Sequence, residues 1–247
     1  MKNLISLFSI ALIMSCTGVK QAKAATPITH EKWTALLQKY VTDKGCVNYE
    51  GFKKDKAKLD AYTKLLSEHH PADSWTKNQK YAYWINAYNA FTIKLIVENY
   101  PVKSIKDLGG KITNKVWDKK YIKLGEKMYS LTDIEHNILR PNFKDARVHA
   151  AINCASVSCP NLYNKAFEAN NLEATLDKVF KSWANDKTKN TIKADALEIS
   201  KIFKWFEDDF KRDSKSVIKW INKYSDVKVK EDATITYKSY NWNLNKC

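Results

Sequence analysis

The chain has 247 residues, and 42 Lys and Arg stand against 27 Asp and Glu, a formal charge of +15. An apolar fraction of 44% is enough for a packed core, while 6 Gly and 5 Pro are too few for a collagen-like, linker-rich or many-turned β-sandwich chain. The only arginines are Arg140, Arg147 and Arg212, so the excess charge is lysine; reading of bases and phosphates favours the planar guanidinium fork, and no nucleic-acid partner is expected.

Lys2 precedes an apolar run from Leu4 to Met14, broken only by Ser6 and Ser9. A membrane-spanning helix needs about twenty apolar residues, so the run reads as a secretory signal, and no transmembrane helix is expected in the mature chain. Two cleavage readings stand side by side. Ala22-Lys23-Ala24 would end a signal of residues 1–24 and release a domain of 25–247; Ile13-Met14-Ser15-Cys16 resembles a lipobox, with a signal of residues 1–15 and Cys16 lipidated. Either way the chain is expected outside the cytoplasm, periplasmic or anchored to the outer membrane. Loss of Lys2, Lys20 and Lys23 leaves 39 basic against 27 acidic residues, or +12. Dispersed lysine suits weak, salt-screened attraction to an anionic envelope surface.

Along the mature chain, Trp33, Leu36, Leu37, Tyr40 and Val41 fall at helical spacing and predict a first helix over 30–42. Residues 43–52 hold Gly45 and Gly51 and read as a loop with a short extended piece at Val47–Tyr49; a second helix is expected over about 54–69, with His69-His70 ending it in solvent. Thr76-x-x-Gln79 fits a capping box, and the helix it opens should run to Tyr100, where Pro101 stops it. That helix is apolar around so much of its circumference that it must be buried on more than one side. Residues 116–131 read as extended segments, the last two turning at Gly125-Glu126-Lys127. Thr132-x-x-Glu135 reads as a second capping box on a short helix ending at Arg140-Pro141. Further helices are expected near 171–186, 200–210 and 213–224, and strands at Thr191–Lys193, Leu197–Ser200 and Ala233–Lys238. With no repeat or linker, the pattern predicts one helix-rich α+β domain with a small antiparallel sheet.

There is no G-x-G-x-x-G, P-loop, G-x-S-x-G or H-E-x-x-H, so no cofactor is expected. The chemistry-bearing residues gather in 131–160. Cys154 lies among Ala150, Ala151, Ala155, Ser156 and Ser158, which would let a ligand approach closely. A nucleophilic thiolate needs a base and a group to orient it; His149, His136 and Glu135 are the local candidates, although Glu135 and His136 project about 100° apart on a helix and cannot pair directly. Cys46, Cys154, Cys159 and Cys247 are disulfide candidates with three pairings open, Cys154–Cys159 with Cys46–Cys247 being one. A local staple, a catalytic or redox thiol, and a zinc site using the two histidines are the rival roles for the pair; the C-x₄-C spacing fits metal least well, and no metal site is assigned. Asn86 and Asn89, one turn apart on the central helix, either tie a loop to it or line a cleft. Tyr240-Asn241-Trp242-Asn243 mixes aromatics and amides and offers either a closing segment or a stacking surface. Trp205-Phe206 and Trp183 read as core aromatics.

Tyr83 to Ile93 (YWINAYNAFTI), Ile134 to Arg140 (IEHNILR), His149 through Cys154-Ala-Ser-Val-Ser-Cys159-Pro160, Trp205-Phe206 with Asp209-Phe210, and Tyr240 to Asn245 occur in an order that resembles the bacterial branch of the domain of unknown function 547 family. The resemblance implies a domain and little mechanism, since the family has no established activity. Ala155 departs from a frequent Gly, which weakens any requirement there for a glycine conformation. The layout is also distantly similar to papain- and transglutaminase-like cores, but here the central helix carries Asn86 and Asn89 where those carry the nucleophile. The leading expectation is an exported envelope domain whose cleft, lined by Asn86, Asn89, Glu135, His136, His149 and Cys154 with Tyr240 and Trp242 nearby, binds a peptide or glycan-like ligand. The alternatives are a thiol-dependent hydrolase or acyltransferase (Cys154 nucleophile, His149 base, Glu135 orienting) and a disulfide-stapled structural module.

Overall fold

A computed structural model of the chain describes residues 26–109 and 115–247; the signal readings and the lipidation candidate Cys16 lie outside them. Helix α1 (Glu31–Tyr40) buries Trp33, Leu36 and Leu37. The expected loop at 43–52 is partly helical. Asn48 caps α2 (Tyr49–Lys54), its Oδ1 accepting from Gly51 N at 2.8 Å, and Gly51 fits there because the Tyr40 ring occupies the space a Cβ would need. Val47 is extended, bridging Val41 and Lys246. Helix α3 (Lys56–Glu68) follows, and His70 beyond it packs edge-on against Trp84 rather than lying free in solvent.

Helix α4 (Lys77–Asn99) is the central helix. Thr76 Oγ1 accepts from Gln79 N at 3.2 Å and Gln79 Oε1 from Thr76 N at 2.8 Å, the reciprocal capping box expected from the sequence. Its end falls at Asn99 because Pro101 holds Tyr100 extended. From Tyr81 to Val97 almost every side chain is buried, with α2, α3 and the segment after residue 130 packed around it.

A two-residue turn, with Gly125 at φ +58° in its first position, joins β1 (Ile122–Leu124) to β2 (Lys127–Tyr129). Residues 116–118 form a turn rather than a strand. The next helix begins one cap earlier than expected: Asp133 N donates to Ser130 Oγ at 3.0 Å and Ser130 N to Asp133 Oδ2 at 2.8 Å, so Ser130 is the capping residue and Thr132 is not. Asp133–Leu139 is wound as a π-helix and continues into α5 (Arg140–Phe143) instead of stopping at Pro141. Pro141 has no N–H, and its ring would crowd the carbonyl four residues back. The wider winding relieves that, with Arg140 N–H reaching back five residues to Glu135 O.

After α6 (Val148–Ala151) and α7 (Leu172–Ala184) come β3 (Thr191–Ile192) and β4 (Ala196–Ile199), an antiparallel pair. Helices α8 (Ile202–Trp205), α9 (Glu207–Ser214) and α10 (Val217–Ile221) then cross over to β5 (Thr234–Tyr237). That crossover lets β5 pair with β4 in parallel, so this sheet is mixed where an antiparallel one was expected. A single hydrophobic core runs from Trp33 to Leu244, and the architecture is one helix-rich α+β domain with small sheets. Cys46 and Cys247 are joined as a disulfide, Cα–Cα 5.2 Å, and no described helix is long and apolar enough to cross a membrane.

Candidate functional site

A cavity of about 190 Å³ is lined by Tyr88 of α4, Trp117, Thr132, Glu135 and His136 of the π-helical segment, His149 and Ile152, both thiols Cys154 and Cys159, Ile202, Trp205 and Phe206 around α8, and Tyr240 and Trp242. Its aromatic wall is continuous: Trp242 packs against Tyr240 at 4.5 Å, Trp117 at 5.4 Å and Trp205 at 5.9 Å between ring centroids.

The loop carrying the thiols is held by amides. Asn89 Nδ2 donates to Ala151 O at 2.9 Å, and Asn89 Oδ1 accepts from Asn153 N at 2.9 Å. Asn153 Nδ2 in turn reaches Pro160 O at 2.7 Å, and its Oδ1 accepts from Ala155 N at 2.8 Å. Asn86 does the same for another segment, pairing with both Phe167 N and Phe167 O. A primary amide carries one donor and one acceptor side by side, so each Asn mimics a paired peptide unit inside the core. Asn86 and Asn89, 0% and 3% exposed, therefore tie loops to α4 and do not line the cavity. Ala155 adopts φ +62°, the left-handed conformation that glycine takes at no steric cost. The departure from Gly at this position thus leaves the backbone requirement in place.

Three side chains meet Cys154. Its Sγ lies 2.8 Å from Cys159 Sγ, 3.3 Å from Ser156 Oγ and 3.4 Å from the Tyr240 hydroxyl, and its N–H donates to Cys159 Sγ at 3.0 Å. Ser156 Oγ and Tyr240 Oη also lie 3.2 Å from each other, so the sulfur and the two hydroxyls form one hydrogen-bonded group. Hydrogen bonding from Cys159 above all, then from Ser156 and Tyr240, favours the Cys154 thiolate against the opposing effect of burial. Cys159 goes the other way: burial, then the neighbouring Cys154, push its thiol well above the ordinary value. The two thiols are thus biased in opposite directions, the thiolate being favoured at Cys154.

Glu135 faces this sulfur. Burial first, and then the negative charge of Cys154, push its carboxyl up to about 7, while a hydrogen bond from the Tyr88 hydroxyl at 3.3 Å works in the other direction. Near neutrality it can hold or release a proton. His149 sits in a second network. Its ring stacks on Phe206 at 4.0 Å, and its Nε2 lies 2.8 Å from Asp209 Oδ2. The same oxygen accepts from Arg140 Nε at 2.6 Å, Asp209 Oδ1 accepts from Arg212 Nη1 at 3.0 Å, and Arg140 Nη1 donates to His136 Nδ1 at 2.8 Å. Burial opposes ionisation of Asp209, yet the His149 and Arg140 hydrogen bonds hold it well below the usual carboxylate range. Burial lowers the pKa of His149 more than Asp209 raises it, so the imidazole is neutral and Nε2–H is the donor. Burial and then Arg140 lower His136 as well.

Cys154, His149 and Glu135 therefore line one cavity, but among the described residues no hydrogen bond joins the sulfur to either of the other two; His149 Nε2 is committed to Asp209. His136, Tyr240 and Trp242 also line it. Of the disulfide candidates, Cys46 and Cys247 are bonded, while Cys154 and Cys159 are free thiols in contact. Among the described residues there is no cluster of three or more His, Cys, Asp and Glu placed to hold a metal ion.

Trp205 and Phe206 were expected in the core. Instead Trp205 is 47% exposed at the cavity edge. Adjacent aromatics on a helix point about 100° apart and cannot face one core together, a signal that was present in the sequence. Tyr88 and Trp117, Ser156 beside the thiol, and Arg140 with Asp209 behind His149 were not anticipated as site residues; Asp209 and Ser156 lie inside the motifs already singled out.

No curated protein and no solved structure matches the chain. Residues 72–183 match a family model described as protein of unknown function, DUF547, which takes in α4, the hairpin, the π-helical segment, both thiols and most of α7; Trp205, Asp209, Tyr240 and Trp242 lie beyond the matched segment. Over residues 72–183 the chain is similar to the DUF547 family of proteins of unknown function.

Proposed function

We propose that this is an exported cell-envelope domain whose aromatic-walled cavity binds a peptide or glycan-like ligand. The observation that carries the reading is the open aromatic edge over a polar floor. Trp205, half exposed, packs on Tyr240 at 4.7 Å and on Trp242, while Glu135, Cys154 and Tyr88 supply hydrogen-bonding groups beneath. Sugar rings and extended peptides bury apolar faces on such rings while a few placed polar groups fix their orientation. Titration of tryptophan fluorescence with muramyl peptides and N-acetylglucosamine oligomers tests it: Trp205→Ala should weaken binding at least about tenfold, the loss of a stacking anchor worth roughly 1.4 kcal/mol or more. Equal affinity in both proteins, or none in either, would overturn it.

A second reading, a thiol-dependent hydrolase or acyltransferase, is favoured by the lowered pKa of Cys154 beside a carboxyl near neutrality. Cys154 would attack the carbonyl carbon to form a thioester, the alcohol or amine leaving with a proton from Glu135, and water or a second acceptor would then take the acyl group and free the thiol; His149 is held by Asp209 away from the sulfur. Turnover of an ester or peptide analogue that disappears in Cys154→Ala, with ligand binding retained, separates this reading from the first. Export rests on the apolar run from Leu4 to Met14, and a mature-protein mass that still includes residue 2 would refute it.

A further inference from the structure

Ligand binding leaves one feature of the floor unused, the contact of two free thiols. We propose that Cys154 and Cys159 form a thiol–disulfide exchange site, with Cys154 as the attacking thiol and Cys159 as the resolving thiol, acting on a small organic disulfide admitted through the aromatic-walled cavity.

Three observations carry this. The two sulfurs are 2.8 Å apart, so bond formation requires them to close by only about 0.8 Å. The pair is asymmetric in access: both thiols line the cavity, but Cys154 is partly exposed whereas Cys159 is 5% exposed. The polar surroundings are asymmetric in the same sense, since the Ser156 hydroxyl lies 3.3 Å from the Cys154 sulfur while Tyr240 acts on both thiols. Attack by the accessible, more anionic sulfur and resolution by the buried one is the order this arrangement dictates. The cavity, about 190 Å³, suits a low-molecular-weight disulfide.

The exchange balances without a metal or cofactor. Cys154 thiolate attacks one sulfur of R–S–S–R′, forming Cys154–S–S–R and expelling R′S⁻, which takes up the proton lost from Cys154. Cys159 sulfur then attacks Cys154 Sγ, its proton passing to the departing RS⁻. The substrate disulfide gains two electrons and two protons and leaves as two thiols; the dithiol becomes the Cys154–Cys159 disulfide. A small dithiol returns the pair to its starting state by the reverse exchange.

The test starts from full-length protein carrying Cys16→Ser, the reference called wild type below, so that Cys154 and Cys159 are its only thiols; both are reduced and the Cys46–Cys247 bond is confirmed by peptide mapping. The probe is 2-hydroxyethyl disulfide, with released thiol and protein mass followed together. Wild type should release two equivalents of thiol and end with an internal Cys154–Cys159 disulfide. Cys159→Ser should stop after one equivalent as a mixed disulfide on Cys154, and Cys154→Ser should react at less than about a tenth of the wild-type rate. A wild type that stops at the mixed disulfide or does not react overturns the proposal. So does a Cys154→Ser protein that reacts at the wild-type rate through Cys159. The wild-type stoichiometry is decisive even where a variant folds poorly, and it is independent of whether muramyl peptides or glycans bind.

Discussion

Glu135 ties the chemistry of the cavity to the stability of the domain. Its carboxyl is pushed up from 4.5 to about 7, mainly by burial. A folded-state pKa above the unfolded one means that the folded protein holds the proton more tightly. The associated stability is fully present below about pH 4.5 and is lost as the pH rises through about 7. His149, whose pKa is lowered, works in the opposite direction, losing stability as the pH falls through its unfolded value near 6.5. The two overlap, so the wild-type curve alone does not isolate Glu135. The difference between wild type and Glu135→Gln does: in urea unfolding from pH 4.5 to 7.5, wild type should fall relative to the variant by on the order of 3 kcal/mol. A flat difference would show that Glu135 ionises normally. At the same scale, Asn89 shows what a sequence leaves undecided. An amide in an apolar helix announces a buried hydrogen-bond partner, and tying a loop was one of the two roles expected for it. That its partners are Ala151 and Asn153, flanking the thiol loop, depends on a fold that brings residues 62 and 64 positions away beside it.

Elements were legible where their signals are local. The capping box at Thr76 and the stop at Pro101 place α4 within a residue or so, because both act through neighbouring backbone. The helix that carries Glu135 shows the limit of the same reasoning. Thr132-x-x-Glu135 has the right letters, but Ser130-x-x-Asp133 has them too, and two hydrogen bonds at Ser130 decide between them. Thr132 instead donates to Asp118 Oδ1 at 2.7 Å. Ser130→Ala should therefore cost about 1 kcal/mol in thermal or urea unfolding, as removal of a capping side chain does, and Thr132→Ala less than half of that. The reverse ranking would restore the cap at Thr132. The π winding that follows was not legible, because Pro141 ordinarily ends a helix. Here packing on α4 keeps the helix going, and the backbone widens to admit the ring. The mixed sheet was missed for a related reason: strand periodicity finds β5 but says nothing of the direction in which three crossover helices return it.

At the scale of the molecule, the cavity is assembled from distant parts of the chain. The segment from Tyr240 onward closes it through backbone bonds to residues 47, 103 and 155–158, among them Asn245 N to Ala155 O at 3.1 Å and Val47 N to Asn245 O at 2.9 Å. The Cys46–Cys247 disulfide fastens that segment across a sequence separation of 201 residues, which in chain-entropy terms is worth on the order of 5 kcal/mol. Spacing alone could not choose it from three pairings; only the meeting of Val47 with the final residues does. The bond also sets a problem of timing. Of the four cysteines after Cys16, Cys46 emerges first during synthesis and Cys154 and Cys159 follow, so it meets two foreign thiols before its own partner exists. An oxidant acting in order of emergence would cross-link Cys46 to the site and trap the chain in the wrong ring. Correct maturation therefore demands that α4 and its asparagine clamps withdraw the Cys154 loop into the fold before Cys46 is oxidised, or that a disulfide isomerase undo the error afterwards.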